Sequence, residues 1–152
     1  MTDFTSTSDH VIVVGVDGSD ASKDALRWAA RQAELTGASL RAVMTWELPT
    51  FAYGAPIAFP ADMDLAGGSR TTLDQIIAET LGANPAVEVS ITVIVGHPAP
   101  ELLKAAQTAE LLVVSSRGHG SFAGMLLGSV SEHCVAHSPC PVVVVRHRAH
   151  ST

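Results

Sequence analysis

Four residues pose the chemical question: Ser115, Gly118, Gly128 and Ser129, in the stretch SSRGHGSFAGMLLGSVSEHCV at 115–135. Gly120 and Gly124 lie between them, and the stretch carries no lysine. Glycine lets a backbone approach a ligand closely, and the first N–H groups of a helix attract anions. A glycine loop leading into a helix is therefore a phosphate cradle in form. The helix expected to start at Ser129 supplies the positive end of a dipole. Ser129 and Glu132 have the S-x-x-E spacing of a capping box, so Ser129 reads as an N-cap, as a phosphate ligand, or as both.

Two familiar phosphate motifs do not fit. A Walker A loop needs Lys followed by Ser or Thr after its last glycine, and here Gly128 runs directly into Ser129. A dinucleotide fingerprint drawn as Gly118, Gly120 and Ala123 should open the first crossover and find an acidic residue at the end of the next strand; that strand ends in Arg146 and His147. Arg117 and His119 are the loop's only candidates for positioning a water on a terminal phosphate, and no constellation of acid, base and orienter accompanies them. Binding, with slow hydrolysis at most, is the expectation.

A second cluster, HCVAHSPC, holds His133, Cys134, His137 and Cys140. These are N and S donors of the kind zinc takes, but the spacing matches no familiar zinc pattern. The plainer reading is a small helix that buries Cys134, turns its histidines to solvent and ends before Pro139.

The elements that must position these groups follow from hydrophobic period. HVIVVGVD at 10–17 is a β-branched run of the kind buried on both sheet faces. After the turn DGSD, Ala25, Leu26, Ala29 and Ala33 share one face of a helix that Gly37 closes. Further strands are expected at 39–46, 87–95, 111–114 and 141–145, and helices at 70–81 and 99–108. His97 with Pro98 and Pro100 reads as the turn and first helical turn after the third strand. Strands alternating with helices imply crossovers and one open parallel α/β sheet, order 3-2-1-4-5, with helices on both faces. In such a sheet ligands bind at the carboxyl ends of the strands where the order reverses, here between strands one and four. Strand one ends in Asp17 and strand four in Ser115.

The region 47–69 has three prolines and reads as a surface connection or a lid, its last part, from Asp62, joining the helix at 70–81. One domain at 10–147 is expected, with polar tails at 1–9 and 148–152. The chain has 152 residues, 47% of them apolar, enough for one core. A net charge of −6 with scattered basic residues argues against nucleic acid and anionic membrane partners. No apolar run reaches the roughly 18 residues of a spanning helix, and the start lacks a basic and an apolar signal region. A cytoplasmic protein is expected.

VIVVGVDGSDASKDALRWAARQA, VIVGHPAPELLKAA and LLVVSSRGHGSFAGMLLGSVSEHCVAHSPCPVVVVR together resemble the universal stress protein family, over nearly the whole chain except 47–69 and the tails. The resemblance implies a Rossmann-like five-stranded parallel fold, a homodimer through the last strand and, in one branch, ATP binding by a G-x2-G-x9-G-[S/T] motif. Gly118 matches the second glycine, Gly128 the third and Ser129 the closing hydroxyl residue, all implied to contact phosphates. Asp17 matches an acidic residue near the ribose and triphosphate, and Thr45 falls where the family often has an apolar residue against adenine. Arg117, His119 and Val130 complete the expected lining. With no lysine nearby, Mg²⁺ near Asp17 is expected to balance the phosphate charge. Ser115 stands where the motif has its first glycine. If that position needs positive φ, a serine there is strained; if φ is negative, its hydroxyl adds a hydrogen bond.

Three functions remain in view at this point. One is a dimeric ATP-binding regulatory module, and another is a phosphohydrolase relying on Arg117 and His119. The last is an interaction scaffold without physiological nucleotide, for which PVVVV would be an association edge. Cyclic AMP is a further ligand that the same crevice suits.

Overall fold

The valine-rich run after His10 forms β1, Val11–Gly15, at the centre of a five-stranded sheet. Ile12, Val13 and Val14 are each no more than 1% exposed, which is what a strand covered on both faces requires. The computed structural model describes residues 10–47, 51–52, 55–56, 65–117 and 127–147. After β1 come α1 (Asp20–Thr36), β2 (Ser39–Trp46), β3 (Phe51–Ala52), β4 (Ala55–Pro56) and α2 (Leu65–Leu81). Then follow β5 (Val89–Val95), α3 (Pro98–Ala106), β6 (Leu111–Ser115), α4 (Ser129–His137) and β7 (Val142–Val145). The large sheet runs β5-β2-β1-β6-β7, every pair parallel, which is the expected order 3-2-1-4-5.

Side chains alternate across the strands and divide the core in two. Ile12, Val14, Leu40, Ala42, Met44 and Val113 pack with α1 and α2 on one face. Val11, Val13, Val43, Leu112 and Val114 pack on the other with Leu102 and Ala106 of α3 and Cys134 of α4. On α1 the expected stripe of Ala25, Leu26, Ala29 and Ala33 is fully buried, and the three alanines let the helix lie close to the sheet. Gly37 ends α1 in the left-handed conformation, φ 74°, and its N–H reaches the Ala33 carbonyl.

Several boundaries differ from expectation. The end of the 47–69 region joins the helix at 70–81 as expected, but from Leu65 rather than Asp62, and the strand expected at 87–95 begins at Val89. Within 47–69, β3 and β4 pair antiparallel as a two-residue ribbon. Residues 48–50, 53–54 and 57–64, the tails at 1–9 and 148–152, and the loop at 118–126 lie outside the described residues. Pro98 opens α3 behind His97 at its N-cap, as the sequence suggests.

Candidate functional site

The carboxyl edge of the sheet gathers the candidate residues by register. β1 pairs β2 through Gly15↔Val43 and β6 through Val14↔Val113. The Val16 N–H still donates to the Val43 carbonyl at 2.9 Å. Continuing both ladders sets Asp17 level with Thr45 on one side and with Ser116 on the other. Here α1 leaves β1 towards one face while the chain after β6 enters α4 on the opposite face. Between them lies the crevice of an open α/β sheet.

Asp17 is held by its own turn. Its Oδ1 accepts from the Ser19 N–H at 2.9 Å and from the Ser19 hydroxyl at 2.5 Å. The Asp17 N–H donates to Ser22 Oγ at 3.3 Å, and the Ser22 hydroxyl donates to the Ser19 carbonyl at 2.9 Å. Gly18, at φ 86°, supplies the left-handed residue the turn needs. Ser19 is also the N-cap of α1, accepting from the Ser22 N–H at 3.2 Å. At the start of α1, side chains thus accept from the N–H groups of Ser19 and Ser22.

The start of α4 is organised differently. Gly128 is its N-cap, with φ −71° and ψ 164°, and no side chain among the described residues caps the helix. The Gly128 carbonyl accepts the Glu132 N–H at 2.9 Å, making Ser129 the first helical residue. This corrects the capping box expected of Ser129 and Glu132. With the helix beginning one residue earlier, Glu132 falls at the fourth helical position, where its carboxylate no longer reaches back to the cap. Ser129 is exposed and Val130 half-buried at this end. The first-turn N–H groups of Ser129, Val130 and Ser131 have no intrahelical acceptor, since helix geometry leaves them unpaired.

Two hydrogen bonds close the base of the glycine loop. The Gly128 N–H donates to the Ser116 carbonyl at 2.6 Å, and the Ser131 hydroxyl donates to the Ser115 carbonyl. Ser116 in turn extends the β6–β7 ladder, its N–H donating to the Val145 carbonyl at 2.9 Å. Ser131 is 3% exposed, and no motif singles it out. It lies three residues before the fully buried Cys134 on the inward face of α4, and a polar residue at such a position needs a partner. That spacing is the signal that could have found it.

Ser115 itself closes β6 in strand register with Val145. Its backbone is extended, so the position requires no left-handed conformation and the serine costs nothing in φ. By alternation its side chain falls on the α1 face, with Leu111 and Val113. Thr45 is half-buried and pairs with Ile94, its side chain on the same face as Val43. Beside it, the indole N–H of Trp46 is buried without a hydrogen-bond partner among the described residues. Arg117 is exposed at the start of the loop. Gly118 and His119 lie outside the described residues.

In the second cluster, Cys134 is fully buried and its thiol is pushed up to about 11 by desolvation. His133 and His137 are exposed. Among the described residues no group of three or more His, Cys, Asp or Glu is placed to hold a metal ion, and no helix is long and apolar enough to cross a membrane.

A five-stranded parallel sheet whose switch-point crevice is bordered by an Asp-Gly-Ser turn and a glycine-capped helix defines a Rossmann-like α/β protein. The model of the universal stress protein family matches residues 10–146, and the chain belongs to that family. A universal stress protein of Mycobacterium tuberculosis is 34% identical over 139 residues, covering 89% of this chain and 44% of that protein. The chain thus spans less than half the length of the curated relatives it matches. Universal stress protein UspA from Lactobacillus plantarum superposes with a TM-score of 0.69 at 26% identity, covering 91% of this chain and 98% of that one. A universal stress protein solved in complex with cAMP gives a TM-score of 0.62 at 29% identity, over 90% of this chain and 96% of that one.

Proposed function

We propose that the protein is an ATP-binding regulatory module of a stress response, formed by one domain at 10–147 acting in the cytoplasm as a homodimer through β7. The observation that carries this reading is the contrast between two helix starts at one crevice. The start of α1 is capped by the Ser19 side chain, whereas α4 begins on Gly128, which has no side chain of its own to cap it. Ser19 already occupies a first-turn N–H of α1, so the start of α4 is the better placed of the two to receive an anion. Phosphates at this end would meet the backbone of Gly128, Ser129 and Val130 and the Ser129 hydroxyl, with Gly118 and His119 contributing from the loop. Thr45 would lie against the adenine, and Asp17 would face the ribose and the triphosphate.

Mg²⁺ suits this donor set, because it takes carboxylate and phosphate oxygens and keeps several waters. Asp17 supplies the carboxylate, oriented by the Ser19 hydroxyl and N–H. When bound, the ion would neutralise phosphate charge that the chain does not neutralise with a lysine. The chain's own part is to bind and orient. Arg117 and His119 give at most slow hydrolysis, since no general base accompanies them in the sequence.

Cyclic AMP is the second reading, favoured by the relative solved in complex with it. A single phosphate also matches one helix N-terminus. Titration of nucleotide-free protein with ATP·Mg²⁺ and with cyclic AMP separates the two. Tighter binding of ATP, dependent on Mg²⁺, supports the first; tighter binding of cyclic AMP, indifferent to Mg²⁺, supports the second.

A further inference from the structure

His133 and His137 lie one helical turn apart on the exposed side of α4, away from the phosphate end. Residues four apart on a helix are neighbours on its surface, with Cβ atoms about 5–6 Å apart. The two rings face each other with centroids 4.6 Å apart and planes inclined at 51°. The other described histidines are engaged differently. His10 pairs through Nδ1 with Glu110 at 2.8 Å, His97 with Glu47 at 2.7 Å and His147 with Asp24 at 2.5 Å. Only the α4 pair, among the described residues, turns imidazole towards imidazole.

We propose that His133 and His137 form a bidentate site for a divalent late transition metal ion, Ni²⁺ or Cu²⁺ ahead of Zn²⁺. Imidazole nitrogen suits all three ions, and two rings on one helix face are a chelating pair. A metal–nitrogen bond of about 2.1 Å places the metal about 3.2 Å from each ring centre. Two ligands at a cis angle of about 90° then have centroids about 4.5 Å apart, against about 5.2 Å at the tetrahedral angle. The observed 4.6 Å lets both rings reach one ion, and a donor set of nitrogen and water without thiolate sets Ni²⁺ and Cu²⁺ ahead of zinc.

The local electrostatics agree. His137 is the last residue of α4, where the helix dipole presents its negative end and favours a cation. No Lys or Arg occurs between 118 and 145. Cys134 faces the core and takes no part. Two protein ligands leave further coordination positions for water or for a group on another molecule.

The test is calorimetric titration of the full chain, without an affinity tag, with nickel chloride in a buffer that does not bind metal. His133→Gln, His137→Gln, His97→Gln and Cys140→Ser are compared after circular dichroism has shown that each folds. One Ni²⁺ per chain is expected in the parent. Because the second imidazole binds intramolecularly, losing either ring should weaken binding by roughly a hundredfold. His97→Gln and Cys140→Ser should bind as the parent does. Parental affinity in either α4 variant, no uptake below millimolar Ni²⁺, or loss of binding in Cys140→Ser would overturn the proposal.

Discussion

The Ser131 hydroxyl donates to the main-chain carbonyl of Ser115, tying the first turn of α4 to the last residue of β6. Together with the bond from the Gly128 N–H to the Ser116 carbonyl, it fixes where the helix start lies relative to the strand end, whatever the glycine loop between them does. The candidate phosphate site is therefore built on two regular elements.

Ser131→Ala should lower stability by about 1–2 kcal/mol, because it removes one bond of a buried hydroxyl and leaves a strand-end carbonyl short of a donor. Urea denaturation measures the loss, and nucleotide affinity should fall with it. Unchanged stability and affinity would assign the clamp to Gly128 and Ser116 alone.

Ser19→Ala should cost about 1 kcal/mol through loss of the α1 cap, while Ser19→Gly should cost only a few tenths. Both variants release Asp17 Oδ1 from the Ser19 hydroxyl, so both should weaken Mg²⁺-dependent nucleotide binding to a similar extent. Thermal melts and titrations of the pair separate the capping role from the role of Ser19 in orienting Asp17.

Cys134 predicts an alkaline limit to stability. Burial raises its thiol from 9.0 to about 11, so the folded state holds the proton more tightly than the unfolded chain does. Its contribution is complete below about 9 and is lost as pH rises towards about 11. Unfolding free energies measured across that window should fall more steeply in the parent than in Cys134→Ala. At neutral pH a thiol reagent should label the half-buried Cys140 first, and label Cys134 only on unfolding.

The β7 edge can be tested without disturbing the inner ladder. Pro141 and Val145 accept from Leu112 and Ser116, so residues 141, 143 and 145 bond towards β6, and Val142 and Val144 turn their backbone groups outward. Val144→Pro removes an outward N–H, a change that edge strands tolerate. If copies associate by pairing β7 edges, sedimentation should show the variant as a monomer with an intact circular dichroism spectrum. A dimer as stable as the parent's would place the interface elsewhere.

Much of this architecture was legible in the chain. The β-branched runs, the alanine stripe of α1 and the helix-ending Gly37 are local signals, and alternation of strand and helix restricts the topology. That Asp17 and Ser115 border one crevice was legible because strand order brings the ends of β1 and β6 together. The start of α4 was not. S-x-x-E fits a capping box from Ser129, but the Gly128 N–H is drawn back to Ser116, a contact that local pattern does not contain. Whether Ser115 needs positive φ was likewise decided by its pairing with Val145. The β3–β4 ribbon is too short to leave a hydrophobic period.

The central claim is that α4 begins as a nucleotide phosphate site. Its most direct test is to denature freshly purified protein, identify any released nucleotide by chromatography and mass, and titrate the emptied protein and its Gly118→Val and Gly128→Val variants with ATP·Mg²⁺. The account predicts an adenine nucleotide near one per chain, or stoichiometric rebinding, with binding lost in both variants while the fold persists. No nucleotide and no binding at millimolar ATP, or undiminished binding in both glycine variants, would contradict it.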